Sequence, residues 1–163
     1  RGNVSTRVDA ARYGRMDAVV LAEAGIIRLG LNLDGIRAVP LSEDVFVPAP
    51  GQGALAIETR DDLPDELRDA LNQLHDPVTE LETRVERSIL KQLHGGCTLP
   101  LGVQCRKIGD ILHLKAFLGI AASRTSHDWK AFCRFDISDA SHHNLITKTV
   151  AHFEKELKTK IHE

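Results

Sequence analysis

The chain predicts an α/β portion followed by an α+β domain with a three-stranded antiparallel sheet packed by helices. Three observations predict this. Short apolar runs alternate with helical stretches up to about residue 60, proline and glycine concentrate at 47–53, and three strand-like runs beyond residue 100 lead into a long amphipathic helix.

Residues 6–15 are polar with a helical flavour, and Asp17–Ala22 is a short apolar run of the kind that forms a buried strand. Ala24–Gly30 reads as a short helix closed by its terminal glycine, and Ile36–Val39 as a second strand. Val47-Pro-Ala-Pro-Gly-Gln-Gly53 marks a crossing between domains, released into the strand-like Ala54–Glu58. A helix over 65–74 starts with Asp65 and Glu66 at its positive end. A longer helix over 78–93 places Leu81, Val85, Ile89 and Leu93 on one buried face and stops at Gly95-Gly96. Strands are expected over 103–107, 111–120 and 129–137, with Ile108-Gly109-Asp110 as a hairpin turn. The final helix over 140–161 aligns Ile146, Val150, Phe153, Leu157 and Ile161 opposite lysines.

At 163 residues, 42% hydrophobic and 27% charged, the chain has enough material for one domain or two small ones. A formal charge of -2 gives no field that attracts nucleic acid or an anionic membrane, so partners must be read from local sites. No apolar run approaches the roughly 18 residues that span a bilayer. Three cysteines, Cys97, Cys105 and Cys133, are an odd number without the dense spacing of a secreted disulfide framework, which points to a reducing compartment and gives no ground for assuming a disulfide. Cys105 and Cys133, on strands, are expected to be packing elements. The chain opens on Arg1 rather than Met, so a fragment is expected.

Three constellations have chemical potential. Gly95-Gly96-Cys97-Thr98-Leu99-Pro100 mounts a thiol on glycines stopped by a proline, which suits a nucleophile or a covalent anchor; a small buried cysteine is the plain alternative. The loop follows a helix C-terminus, where the dipole favours cations and gives a thiolate no help. Arg1, Arg7 and Arg28 fit two-point carboxylate binding, or are simply solvated surface arginines. Pro50-Gly51-Gln52-Gly53-Ala54 permits close backbone approach to a ligand or forms a hinge; it lacks the lysine and following helix of a phosphate loop. His94 and Cys97 have the spacing of a metal-ligand pair, but no second close pair completes a four-ligand zinc site.

Taken together, Arg1-Gly2-Asn3-Val4-Ser5-Thr6-Arg7, Leu21 to Gly30, Pro50 to Ala54 and Gly95 to Gly102 resemble the porphobilinogen deaminase (hydroxymethylbilane synthase) family in its motif order. The likeness spans nearly the whole chain, is weakest after about residue 120, and matches the C-terminal half of the family's usual length. The resemblance implies a transferase of tetrapyrrole (heme and chlorophyll) biosynthesis. It condenses four porphobilinogen molecules, with loss of ammonia, on a dipyrromethane primer. By the same matching, Cys97 holds that cofactor through a thioether, Arg1, Arg7 and Arg28 bind carboxylates, and Gly2, Leu21, Ala22, Gln52 and Gly53 line the pyrrole site.

The implied architecture has partial periplasmic-binding-protein-like domains. Residues 1–46 form the later part of the second α/β domain, 47–75 return to the first, and 76–163 form the α+β domain that carries the cysteine loop. The family's catalytic aspartate lies in the absent N-terminal half, so no catalytic residue is assigned here, and the chain is expected to be inactive without that half in cis or as a companion chain. Expected partners are porphobilinogen and the growing polypyrrole, not nucleic acid or membrane, in the cytoplasm or in the plastid of a photosynthetic eukaryote. The competing expectations are a catalytically incompetent pyrrole-binding or interaction domain of this descent, and a zinc domain using His94 and Cys97.

Overall fold

The computed structural model describes residues 2–94, 99–121 and 129–161, and the chain divides into two compact units, one ending at Ser42 and one beginning at Glu43.

In the first unit, α1 (Val4–Arg12) begins where Asn3 caps it: the side-chain Oδ1 of Asn3 accepts from the Thr6 N–H at 2.9 Å and from the Thr6 hydroxyl at 2.8 Å. It ends at Gly14, whose φ is +66°, with Gly14 and Arg15 N–H groups returning to the Ala11 and Ala10 carbonyls. This cap and stop place the helix earlier than the 6–15 expected. α2 (Glu23–Arg28) closes in the same manner at Gly30, as the sequence predicts, through Gly30 to Ile27 and Leu31 to Ile26. Val8 is the one buried apolar side chain among the described residues of this unit.

The strands expected over 17–22, 36–39 and 54–58 form no ladder, which corrects the sequence reading. A strand exists only against a partner, and no described segment of this chain runs beside them. Their apolar side chains stand unpacked: Val20, Val39, Leu55 and Ile57 are all more than half exposed. The first portion therefore contributes helices and irregular segments rather than a sheet of its own.

The second unit holds the core. α3 (Asp65–Asn72) forms where expected and buries nothing. α4 (Pro77–Gln92) is started by Asp76, whose carboxylate accepts from the N–H groups of Val78 and Thr79 at 2.9 and 3.0 Å, with Pro77 in the first turn where no donor is needed. Those donors, the Thr79 amide foremost, hold the Asp76 carboxyl below its usual range. The sheet runs β1 (Leu101–Ile108), β2 (Ile111–Ala121), β3 (Trp129–Asp139) in that order, antiparallel throughout. Ile108 pairs with Ile111 across a two-residue turn whose Gly109 has φ +59°, the hairpin expected from the sequence.

α5 (His142–Ile161) and α4 pack together on one face of the sheet. Alternation along the strands turns Val103, Cys105, Leu114, Ala116, Leu118 and Cys133 into the layer that meets Val85 and Ile89 from α4 and Leu145, Ile146, Val150 and Phe153 from α5. Leu81, Leu93 and Leu157 border the core as their spacing predicted; Leu145, fully buried, joins it one position before the predicted stripe. Among the described residues no helix is long and apolar enough to cross a membrane. Phe153 is fully buried in this layer. Phe153→Ala is expected to lower the unfolding free energy by about 3–5 kcal/mol in urea titration, whereas the exposed Phe132→Ala changes it by less than about 1 kcal/mol.

Candidate functional site

The first unit carries an open groove of about 740 Å³ lined by Gly2, Thr6, Arg7, Ala10, Arg15 and Met16. Helical spacing makes it. Thr6 and Arg7 follow the Asn3 cap on the first turns of α1, Ala10 continues the wall, and the chain reverses at Gly14 to bring Arg15 and Met16 back. A Cβ at position 2 would stand 3.1 Å from Thr6 Cγ2, so glycine there keeps this end of the groove clear. Neither arginine forms an ion pair among the described residues, and no carboxylate lines the walls, which leaves two guanidinium groups to meet an anionic ligand.

Of the predicted carboxylate-binding set, Arg7 lies in this groove beside predicted Gly2, whereas Arg1 lies outside the described residues. Arg28 closes α2 in the same unit, exposed, and Leu21 and Ala22 lead into that helix, with Ala22 at its N-cap; none of these three lines the groove. A Cβ at Gly25 would meet Val4 Cγ2 at 3.5 Å, so α2 lies against the start of α1. Arg15 and Met16 were not singled out from sequence: they follow the helix, and only the reversal at Gly14 brings them to the groove.

Cys97 falls outside the described residues, but both ends of its loop are described. α4 ends at Leu93, which borders the core, and His94 takes φ +51°. On the far side Leu99 borders the same core, and the Pro100 carbonyl accepts from Gly119 N–H at 2.9 Å before β1 begins at Leu101. The other two cysteines, Cys105 and Cys133, are buried, as expected of packing elements. Burial, with the Glu86 carboxylate close by, pushes the Cys105 thiol up to about 12. Among the described residues no group of three His, Cys, Asp or Glu side chains is placed to hold a metal ion.

Gln52 and Gly53 occupy the end of a strap that crosses the second unit. Opposite the helices, Glu43 pairs with Arg106 of β1 at 3.1 Å, Asp44 pairs with Lys115 of β2, and the Asp44 carbonyl accepts from Arg134 of β3. Val47 then lies on Gly102, where a Cβ would come within 2.5 Å of the Val47 carbonyl oxygen. Pro48 accepts from Val103 N–H at 2.8 Å, so the strap turns onto the free edge of β1. Two successive turns follow, Gln52 N–H to Ala49 and Ala54 N–H to Gly51, with φ +73° at Gly51 and +86° at Gly53. They leave Gln52 and Gly53 exposed.

Glu86 anchors this turn. Its side chain, 7% exposed, accepts from Gly51 N–H at 2.7 Å through Oε2 and from Cys105 N–H at 2.8 Å through Oε1. One turn earlier, Glu82 accepts from Lys107 N–H at 2.7 Å. Burial pushes the Glu86 carboxyl above its ordinary range, opposed by the Cys105 and Gly51 amides. Sequence reasoning missed Glu86. The available signal was a charged residue between Val85 and Ile89, inside the apolar arc of α4.

Comparison with known proteins gives a consistent set. A family model described as "Porphobilinogen deaminase, dipyromethane cofactor binding domain" matches residues 1–68, and one described as "Porphobilinogen deaminase, C-terminal domain" matches residues 80–142. A probable porphobilinogen deaminase of Methanocella arvoryzae is 47% identical over 110 residues, 68% of this chain and 35% of that protein. Porphobilinogen deaminases of Campylobacter concisus and Nitratiruptor are 38% identical over 120 residues and 41% identical over 123 residues, each covering 74% of this chain and 38% of the relative. The chain thus spans little more than a third of the length of the curated relatives it matches.

The strap depends on the missing side chain at position 102. Gly102→Ala is expected to lift Val47 from β1 and expose the Val103 amide, seen as faster hydrogen exchange there and a loss of about 1–3 kcal/mol in stability.

Proposed function

The chain belongs to the porphobilinogen deaminase family, and from that premise we propose that it is the C-terminal portion of a hydroxymethylbilane synthase, which joins four porphobilinogen molecules head to tail with loss of ammonia. The observation that carries the reading is the groove of the first unit. Two guanidinium groups that form no ion pair among the described residues, Arg7 and Arg15, and the small residues Gly2 and Ala10 line it, inside the segment matched by the cofactor-binding domain. A dipyrromethane bears acetate and propionate groups, and this wall of cations without a carboxylate suits them.

In this reading Cys97 holds the dipyrromethane through a thioether, Arg1, Arg7 and Arg28 neutralise its carboxylates and those of incoming pyrroles, and Gly2, Leu21, Ala22, Gln52 and Gly53 line the pyrrole site. When bound, the group supplies the pyrrole carbon to which the first substrate is joined. Cys97 then acts once, as an anchor, so a depressed thiol pKa is unnecessary. The chain's own contribution to the reaction is binding and orientation: its arginines hold carboxylates while its glycines admit the ring close to the backbone.

The rest of the machinery is assigned to an N-terminal portion, in cis or as a companion chain. That portion contributes the aspartate that supports cationic pyrrole intermediates, and it contributes sheet partners for residues 17–22, 36–39 and 54–58. The exposure of Val20, Val39, Leu55 and Ile57 supports this assignment. Residues 1–46 then complete the second of two periplasmic-binding-protein-like domains, 47–75 return to the first, and 76–163 form the third. The site of action is the cytoplasm, or the plastid in a photosynthetic eukaryote.

Purified together with its N-terminal portion, the chain is expected to show an intact mass raised by one dipyrromethane and a red colour with an Ehrlich aldehyde reagent. Cys97→Ser removes both signals. Unmodified Cys97 in that preparation, or no ammonia released from porphobilinogen, overturns the reading. Arg7→Ala is expected to lower kcat/KM for porphobilinogen about 10- to 100-fold through loss of a charge-assisted carboxylate contact.

A further inference from the structure

We propose that Glu86 is a positioning residue for the pyrrole-binding turn, its two carboxylate oxygens tying the Gly51 amide to the Cys105 amide of β1. The proposal rests on the reading that Gln52 and Gly53 line the pyrrole site.

The geometry sets one demand. Two backbone N–H donors, from segments far apart in the chain, converge on one buried side chain and need an acceptor each. Only a carboxylate offers two equivalent acceptor oxygens on one planar group; a glutamine in its place turns an NH₂ towards one of the two donors. Among the described residues Glu86 forms no ion pair, so the charge is kept under cover for those amides and not for a neighbouring cation. Gly51 is also the last residue of the strap held from the core. Beyond it, the exposed Gln52 and Gly53 follow from two tight turns referred to that fixed amide.

Protonation breaks the arrangement for the same reason as the amide substitution, since a carboxylic acid carries an O–H on one oxygen. Among the described residues, the charged or titratable side chains that act on Glu86 are Glu82 on its own helix and Arg106 on β1, with the Cys105 thiol beside it; residues 47–53 carry none. Burial raises the Glu86 pKa and Glu82 adds to the rise, Arg106 opposes it, and Cys105 stays neutral until about 12. Glu86 therefore loses its charge, and the turn its anchor, at a pH above the ordinary glutamate midpoint of about 4.3.

Two measurements test this. In the ¹⁵N-labelled chain, the Gly51 and Cys105 amide protons are expected to titrate together, with one midpoint above that of an exposed glutamate, and Glu86→Gln is expected to flatten both curves. A Gly51 resonance that ignores the titration overturns the proposal, and this result is readable on the unsubstituted chain even where the variant does not fold. In the assembled enzyme, Glu86→Gln is expected to lower kcat/KM for porphobilinogen about 10- to 100-fold and to abolish the acid limb of its pH profile. A variant that keeps the parent kcat/KM, or keeps the limb, overturns it. Should the parent assembly consume no porphobilinogen, the functional reading fails by itself, and the amide titration still decides whether Glu86 holds the turn.

Discussion

The free edge of β1 is the constraint on which the second unit depends. An edge strand presents N–H groups that need acceptors, and in this sheet β1 has β2 on one side only. Three successive outward amides, Val103, Cys105 and Lys107, are met in turn by the Pro48 carbonyl, Glu86 and Glu82. The last two acceptors sit one helical turn apart on α4, so the rise of the helix is matched to the two-residue repeat of the strand. Closing the edge therefore fixes three things together: the lie of α4 on the sheet, the path of the strap, and the place of the turn at Gly51.

Charge and packing divide the work on the two faces of that sheet. The inner face is apolar and carries α4 and α5, with Val85 and Ile89 of α4 and Leu145 and Phe153 of α5 in one core with the strand side chains. The outer face is held by the strap through Glu43, Asp44 and the contact of Val47 on Gly102. The ion pairs there are exposed and contribute little each, but they share one short segment and act on it from all three strands. The strap is thereby held over the sheet and ends on a buried carboxylate.

Much of this was legible in the sequence, and the unread part has a common cause. Leu81, Val85, Ile89 and Leu93 announced α4 because helix burial writes a periodic signal into neighbouring residues, and Gly109 announced the hairpin because a turn needs positive φ at one place. Glu86 gave no such sign, since its partners are main-chain amides with no side-chain signature, 19 and 35 residues away. Gly102 was equally silent: its lack of a Cβ matters only once Val47 is known to lie over it. At 17–22, 36–39 and 54–58 the apolar runs signalled strands, but a strand is a property of a pair, and among the described residues nothing pairs with these segments. Gly2 and Arg7 both line the groove of the first unit, while Arg15 reaches it only because the chain reverses after α1.

The burial of Cys105 and Cys133 has a chemical consequence beyond packing. Both sulfurs sit in the core, and one is held as the unreactive thiol until about pH 12 by its apolar surroundings and a neighbouring negative charge. A soft electrophile that reaches this chain finds those two nucleophiles withdrawn. Chemoselectivity is thus established by exclusion, through the inner face of a sheet, before the remaining cysteine contributes any reactivity of its own.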